Sequence, residues 1–95
     1  MPELVWTTPA IRDLQAIDIW LSEHRSAALA EQRLARLRER AEFLTRFPHI
    51  GRPIDGGVRV LRVFDSPYLL LYRLKNGKLE ILRIRHERED WLVTR

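Results

Sequence analysis

The sequence predicts an α+β domain in which a helical hairpin packs on one face of a mainly antiparallel four-stranded sheet, in the order β-α-α-β-β-β. Three observations predict it. Two stretches, Ala10–Leu21 and Ala30–Leu44, carry apolar residues at helical spacing and are separated by only a few residues, so the helices must double back on each other. Asn76-Gly77, a strong two-residue hairpin signal, joins two strand-like runs in the C-terminal half. Tyr68–Tyr72 reads YLLLY, apolar on both faces, which suits a strand in the middle of a sheet.

The elements follow in order. Glu3–Trp6 is a brief first strand that ends at Thr7-Thr8-Pro9. Thr8 before Pro9 marks a helix start, because the hydroxyl caps free amides and proline has no N–H to lose in the first turn. Ala10, Leu14, Ile17 and Leu21 form the inner face of that helix, with Ile11 alongside and Asp13 and Asp18 on the other side. It is expected to end near Glu23–Arg25. Ser26 caps the second helix, whose inner face is Ala30, Leu34, Leu37, Ala41 and Leu44, while Arg33, Arg36, Glu39 and Arg40 face solvent. Pro48 disfavours helical geometry at Phe47 and stops it there. Pro48–Gly57, rich in proline and glycine, is irregular. Val58–Phe64 and Tyr68–Leu74 are strands broken by Asp65-Ser66-Pro67, and the last strand runs through Leu79–Ile84. Strict alternation there separates Leu82 and Ile84 from Arg83 and Arg85. The helix faces are expected to bury against Leu70, Tyr72, Leu82 and Ile84.

The 95 residues are expected to form a single domain, 1–95, with a modest core. With 45% hydrophobic and 32% charged residues the chain reads as a soluble globular protein. It carries no apolar run of membrane-spanning length, and MPELVW lacks a signal-peptide pattern, so a cytoplasmic location and no membrane partner are expected. The absence of cysteine excludes disulfides, Cys-based zinc sites and a cysteine nucleophile. Of the 17 basic residues all but Lys75 and Lys78 are arginine, and the formal charge is +4. Guanidinium forks bind phosphate and carboxylate in two-point fashion, which suggests an acidic partner, nucleic acid or protein; a merely basic domain would look the same.

The catalytic vocabulary is thin. No glycine motif cradles phosphate, and His24, His49 and His86 fall in different elements without metal-ligand spacing, so neither cofactor nor metal is expected. No serine has the surroundings of an activated nucleophile. What remains is Arg59, Arg62, Arg83 and Arg85 on strands expected to be neighbours, with Tyr68, Tyr72, His86 and Trp91 nearby. Arginines can hold phosphates, a histidine can transfer a proton and aromatic rings can stack on bases, a set sufficient for metal-free cleavage of RNA at its own 2′-hydroxyl. The same arginines could hold an acidic peptide, with His86 an ordinary strand-end residue and Tyr72 in the core.

The ordered set of an early strand, a helical hairpin, FPHIGRP, GVRVL, a Tyr-x-Leu-x-Tyr-Arg strand and ILRIRHERED resembles, over essentially the whole chain, the RelE/ParE superfamily of toxins from bacterial type II toxin–antitoxin pairs. The resemblance implies the fold described above and a cognate antitoxin that lays an acidic or amphipathic segment over the helices and the basic edge of the sheet, with operator DNA reached only through that antitoxin. RelE-type members are ribosome-dependent messenger-RNA endonucleases that use several basic residues and a terminal tyrosine or histidine. ParE-type members lack that set and poison DNA gyrase. In a nuclease, Arg59, Arg62, Arg83 and His86 would be the catalytic residues; in an interaction protein, Arg59, Arg62, Arg83, Arg85 and Trp91 would contact target or antitoxin. Lysines are scarce, Glu87 follows His86 and no tyrosine follows the last strand, and the ILRIRHERED ending is more like ParE-type sequences.

Overall fold

The structure, a computed structural model, describes residues 1–88. Among these, β1 (Glu3–Trp6), α1 (Thr8–His24), α2 (Ala27–Arg46), β2 (Arg52–Pro53), β3 (Arg59–Arg62), β4 (Tyr68–Lys75) and β5 (Lys78–His86) build one sheet in the order β1-β5-β4-β3-β2, with both helices on one face. The described sheet has five strands rather than the expected four: the two residues of β2 pair with β3 at Arg52↔Val60 and Pro53↔Arg59, within the segment expected to be irregular. Proline fits there because an edge position needs no ladder N–H. β1 pairs with β5 in parallel, and the other pairings are antiparallel. β4 is the central strand, as its apolar faces require.

Helix ends follow the capping logic with one shift. Thr7, not Thr8, is the N-cap of α1: its Oγ1 accepts the Ala10 amide at 3.4 Å and donates to Ile81 O at 2.7 Å. The cap therefore also fastens the β1–α1 junction to β5. Ser26 caps α2 by accepting the Leu29 amide at 3.0 Å, and Phe47 is its C-cap. Asn76 and Gly77 both have positive φ (53° and 75°), the geometry of the tight β4–β5 hairpin.

The core lies between the helices and the sheet, with Leu37, Ala41, Leu44, Leu70, Tyr72, Leu79 and Ile81 fully enclosed and Leu14 and Ile17 packed against its margin. Leu82 is not among them. A bulge between Leu71 and Tyr72 shifts the β4–β5 register, so that Leu71 faces Arg83 while Tyr72 faces Ile81. The extra residue, Leu82, is left half-buried and lines a cavity with Val58, Leu71 and Arg83, and Ile81 takes the core place that simple alternation assigned to it. On the face away from the helices, Val60, Leu69 and Leu71 form a second apolar cluster with Ile54 and Val58.

Four polar side chains expected in solvent are used structurally. Asp13 is half-buried and binds β5. Three arginines of α2 brace the β3–β4 turn through main-chain oxygens: Arg33 donates to Asp65 O, Arg36 to Phe64 O (3.5 Å) and to the Asp65 carboxylate (3.3 Å), and Arg40 to Arg62 O (3.3 Å). They hold Asp65 in a left-handed conformation, φ 58°.

Burial raises the pKa of Tyr72 above the ordinary tyrosine value, partly offset by the Gly51 amide and the Arg59 charge; it does the same for Tyr68, partly offset by Arg33. A raised phenol pKa favours the neutral form in the folded state. Its contribution to stability is complete below the unfolded value near 10 and is lost as pH rises through the folded one. Thermal melts across alkaline pH are expected to show a decline that begins only there and is smaller in Tyr72→Phe. An equal decline in that variant would remove Tyr72 as a cause.

Candidate interaction face and edge

Register decides which candidate residues share a surface. On the face away from the helices two cross-strand rows lie side by side, Arg62–Leu69–Arg85 and Val60–Leu71–Arg83. With neighbouring strands about 4.8 Å apart, Arg62 and Arg85 flank Leu69 at about 10 Å from each other. The face is thus a narrow apolar strip with guanidiniums on its margins. Arg62 pairs with Glu87 at 3.1 Å, with 67% and 35% of the two side chains exposed. An ion pair that open contributes little stability and opens readily. Arg73 pairs with Glu80 at 2.6 Å farther along the same strands.

Arg83 is held differently. Its Nε and Nη2 donate to Asp13 Oδ2 and Oδ1 at 2.8 and 3.0 Å, and the Ile84 amide donates to Oδ2 at 2.9 Å. Arg59 is displaced from the arginine rows altogether. Its register partner is Tyr72, a core residue, and its guanidinium donates to His49 O at 3.0 Å and Gly51 O at 2.8 Å, fastening the FPHIGRP loop.

His86 points the other way. It lies opposite Tyr68, edge-on to that ring with centroids 6.1 Å apart, and its Nδ1 accepts the Arg88 amide at 3.1 Å. Both rings border an apolar groove of about 480 Å³ between the helices and the sheet, with Ile17, Trp20, Leu29 and Arg25 on its other walls. The structure therefore does not gather Arg59, Arg62, Arg83 and His86 into one nuclease-like cluster. Arg62 lies on the open face, Arg83 is tied to α1, Arg59 belongs to a loop and His86 belongs to the groove; Arg85 shares the register row of Arg62 but also borders a small pocket with Asp13, Ile17, Tyr68 and His86. Trp91 lies outside the described residues.

Sequence reasoning missed two participants. Asp13 sits at the margin of the apolar stripe of α1, a position where a carboxylate can reach a neighbouring strand. Trp20, 53% exposed and stacked on His24 at 4.6 Å, walls the groove. A large aromatic off the inner stripe of an amphipathic helix was its available signal.

The family model described as the ParE toxin of the type II toxin–antitoxin system parDE matches residues 4–91. The chain belongs to that family. The toxin is 38% identical over 87 residues to Toxin RelE2 of Caulobacter vibrioides, covering 90% of this chain and 96% of that protein. Its fold matches a chain of the chromosomal ParDE system of P. aeruginosa with a TM-score of 0.82 at 29% identity, covering 90% and 96% of the two chains. A chain of the RelBE2 toxin–antitoxin complex of Mycobacterium tuberculosis matches with a TM-score of 0.67 at 29% identity, covering 90% and 99%. These matches make the chain a toxin of the RelE/ParE superfamily, and the two solved relatives come from toxin–antitoxin systems. No helix among the described residues is long and apolar enough to cross a membrane.

Proposed function

We propose that this toxin acts by binding and poisoning DNA gyrase rather than by cutting messenger RNA, and that a cognate antitoxin neutralises it in the cytoplasm. The carrying observation is the division of the candidate residues: His86 borders the helix-side groove, Arg62 lies on the opposite face, Arg83 is bound to Asp13 and Arg59 is bound to the FPHIGRP loop. General acid–base cleavage needs the proton donor or acceptor and the phosphate anchors around one scissile bond. A binding protein has no such need, and an apolar strip margined by arginines suits an acidic, partly aliphatic protein surface. The ParE family match supports the same reading. Arg62 and Arg85 are the contacts assigned to target or antitoxin, with Trp91 beside them in the test.

Purified toxin is expected to block gyrase supercoiling, and its induction without antitoxin to give filamentation and an SOS response. His86→Gln should leave that inhibition intact. Arg62→Ala, Arg85→Ala and Trp91→Ala should weaken it by graded amounts, because interface energy is spread over a few anchors. The opposite result is equally concrete. Messenger RNA cut inside ribosomes, with cleavage reduced about 10²–10⁴-fold by His86→Gln, would make the protein a RelE-type nuclease. Copurification from the native host should recover a small acidic or amphipathic antitoxin, and failure to recover one would count against the partner.

A further inference from the structure

The open face of the sheet contains a basic side chain whose charge is already spoken for. Arg83 lines a cavity of about 230 Å³ with Val58, Leu71 and Leu82, where a free guanidinium would meet an incoming phosphate. Instead its fork is filled from within the chain: Nε and Nη2 each donate to one oxygen of Asp13, at 2.8 and 3.0 Å. The Ile84 amide, on the stretch of β5 beyond its pairing with β1, completes the cradle at 2.9 Å. A guanidinium fork plus a main-chain N–H is the donor set that holds phosphates and carboxylates in anion sites. Only 17% of the Asp13 side chain and 31% of the Arg83 side chain remain exposed, against 67% and 35% for Arg62 and Glu87.

We propose that Asp13 is a specificity-determining residue, an internal carboxylate that occupies the place of a nucleic-acid phosphate on Arg83 and so keeps this arginine out of any RNA-binding surface. The inference rests on the reading of the toxin as a gyrase-binding protein and supplies a physical reason for it. To reach Arg83, a phosphate must displace a carboxylate tethered to the same chain. It must also leave that half-buried carboxylate without its cation, beside the new negative charge, and the Ile84 amide without its acceptor. Each consequence opposes RNA. An antitoxin or gyrase surface that uses Arg62 has only an exposed ion pair to open.

Asp13→Asn separates the two tasks of the side chain. Its carbonyl oxygen can still accept the Ile84 amide, but it carries no charge to hold the guanidinium. The probe is a short fluorescein-labelled single-stranded RNA, titrated by anisotropy over a range of salt concentrations. Asp13→Asn is expected to bind it several-fold more tightly at low salt than Asp18→Asn, which makes the same charge change at an exposed position of α1. The dependence of log K on log salt should steepen by about 0.7, the signature of one more phosphate contact on a single strand. Arg83→Gln added to Asp13→Asn should abolish the gain. A second comparison does not require Asp13→Asn to fold: Arg83→Gln alone should weaken RNA binding no more than Arg12→Gln, an equal charge change at another exposed position of α1, whereas Arg62→Gln and Arg85→Gln should weaken it more. The inference is overturned if Asp13→Asn binds no better than Asp18→Asn, if the gain survives loss of Arg83, or if Arg83→Gln alone weakens binding more than Arg12→Gln. A wild-type toxin that cuts messenger RNA would defeat the gyrase reading itself. One that blocks gyrase while Asp13→Asn fails to respond would defeat only this inference.

Discussion

Leu37→Ala is expected to lower the stability of the toxin by about 2–5 kcal/mol, the range for emptying a fully enclosed leucine site. Leu37 has no exposed surface and sits midway along α2, in one cluster with Ala41, Leu44, Leu70, Tyr72, Ile81 and Ile84. The helix lies across the sheet at this point, and bonds at its start and along its middle resist collapse into the space left behind. Ser26 anchors the N-terminal end, and the Arg33, Arg36 and Arg40 bonds to the β3–β4 turn anchor the middle. A cavity that cannot close retains the full penalty. For a domain of this size each kcal/mol moves the thermal midpoint by about 4–8 °C, so a fall of at least about 8 °C is expected. Leu34→Ala, at the margin of the core with 8% exposure, should cost less. A fall in midpoint too small to measure in Leu37→Ala would show that the inner face of α2 is misplaced.

The elements were legible in the sequence because each is stated by local chemistry. Apolar residues at helical spacing, a serine cap, a proline stop and an Asn-Gly hairpin need no knowledge of distant residues. The one-residue error at the first cap has a simple origin: Thr7 and Thr8 are chemically the same, and the choice falls to the one whose hydroxyl also reaches Ile81 O. What was not legible depends on pairing. In LEILRIR the apolar phase slips from Leu79 and Ile81 to Leu82 and Ile84, but two adjacent aliphatics do not say which is the extra residue, and only the pairing shows that the bulge leaves Leu82 outside the core and sends Ile81 into it. Arg59 and Arg62 look alike along the chain, yet alternation puts Arg59 in register with Tyr72 and Arg62 with Leu69, on opposite faces. The same rule separates His86 from Arg85. A candidate site assembled from residue types alone therefore mixed two surfaces, and the use of Asp13 as the partner of Arg83, 70 residues away in sequence, could come only from the fold.

The FPHIGRP loop carries the second large effect. Tyr72 is wholly buried, and its hydroxyl reaches out of the core into this loop, donating to Pro48 O at 2.9 Å and accepting the Gly51 amide at 2.9 Å. Gly51 is pressed against the ring: a Cβ there would lie 2.7 Å from Cε1 and 2.9 Å from Cζ of Tyr72, and closer still to the hydroxyl. No ordinary contact is that short. Since the tyrosine is packed on all sides, the loop must move rather than the ring. Gly51→Ala is expected to cost about 1–3 kcal/mol for overpacking. A further penalty of about 1–3 kcal/mol follows if the Pro48 and Gly51 groups lose the hydroxyl without gaining water. Arg59 would lose its hold as well, since its guanidinium bonds to Gly51 O and His49 O. Tyr72→Phe separates these contributions. Alone, it removes both hydroxyl bonds but leaves the ring in place. Combined with Gly51→Ala, it removes the closest contact while the two ring-carbon contacts remain. The double variant should therefore lose less than the sum of the two single losses, with a coupling of about 0.5–3 kcal/mol, measured by denaturant unfolding. Strict additivity would mean that the loop and the ring do not touch, and would leave the glycine of this motif without a structural reason.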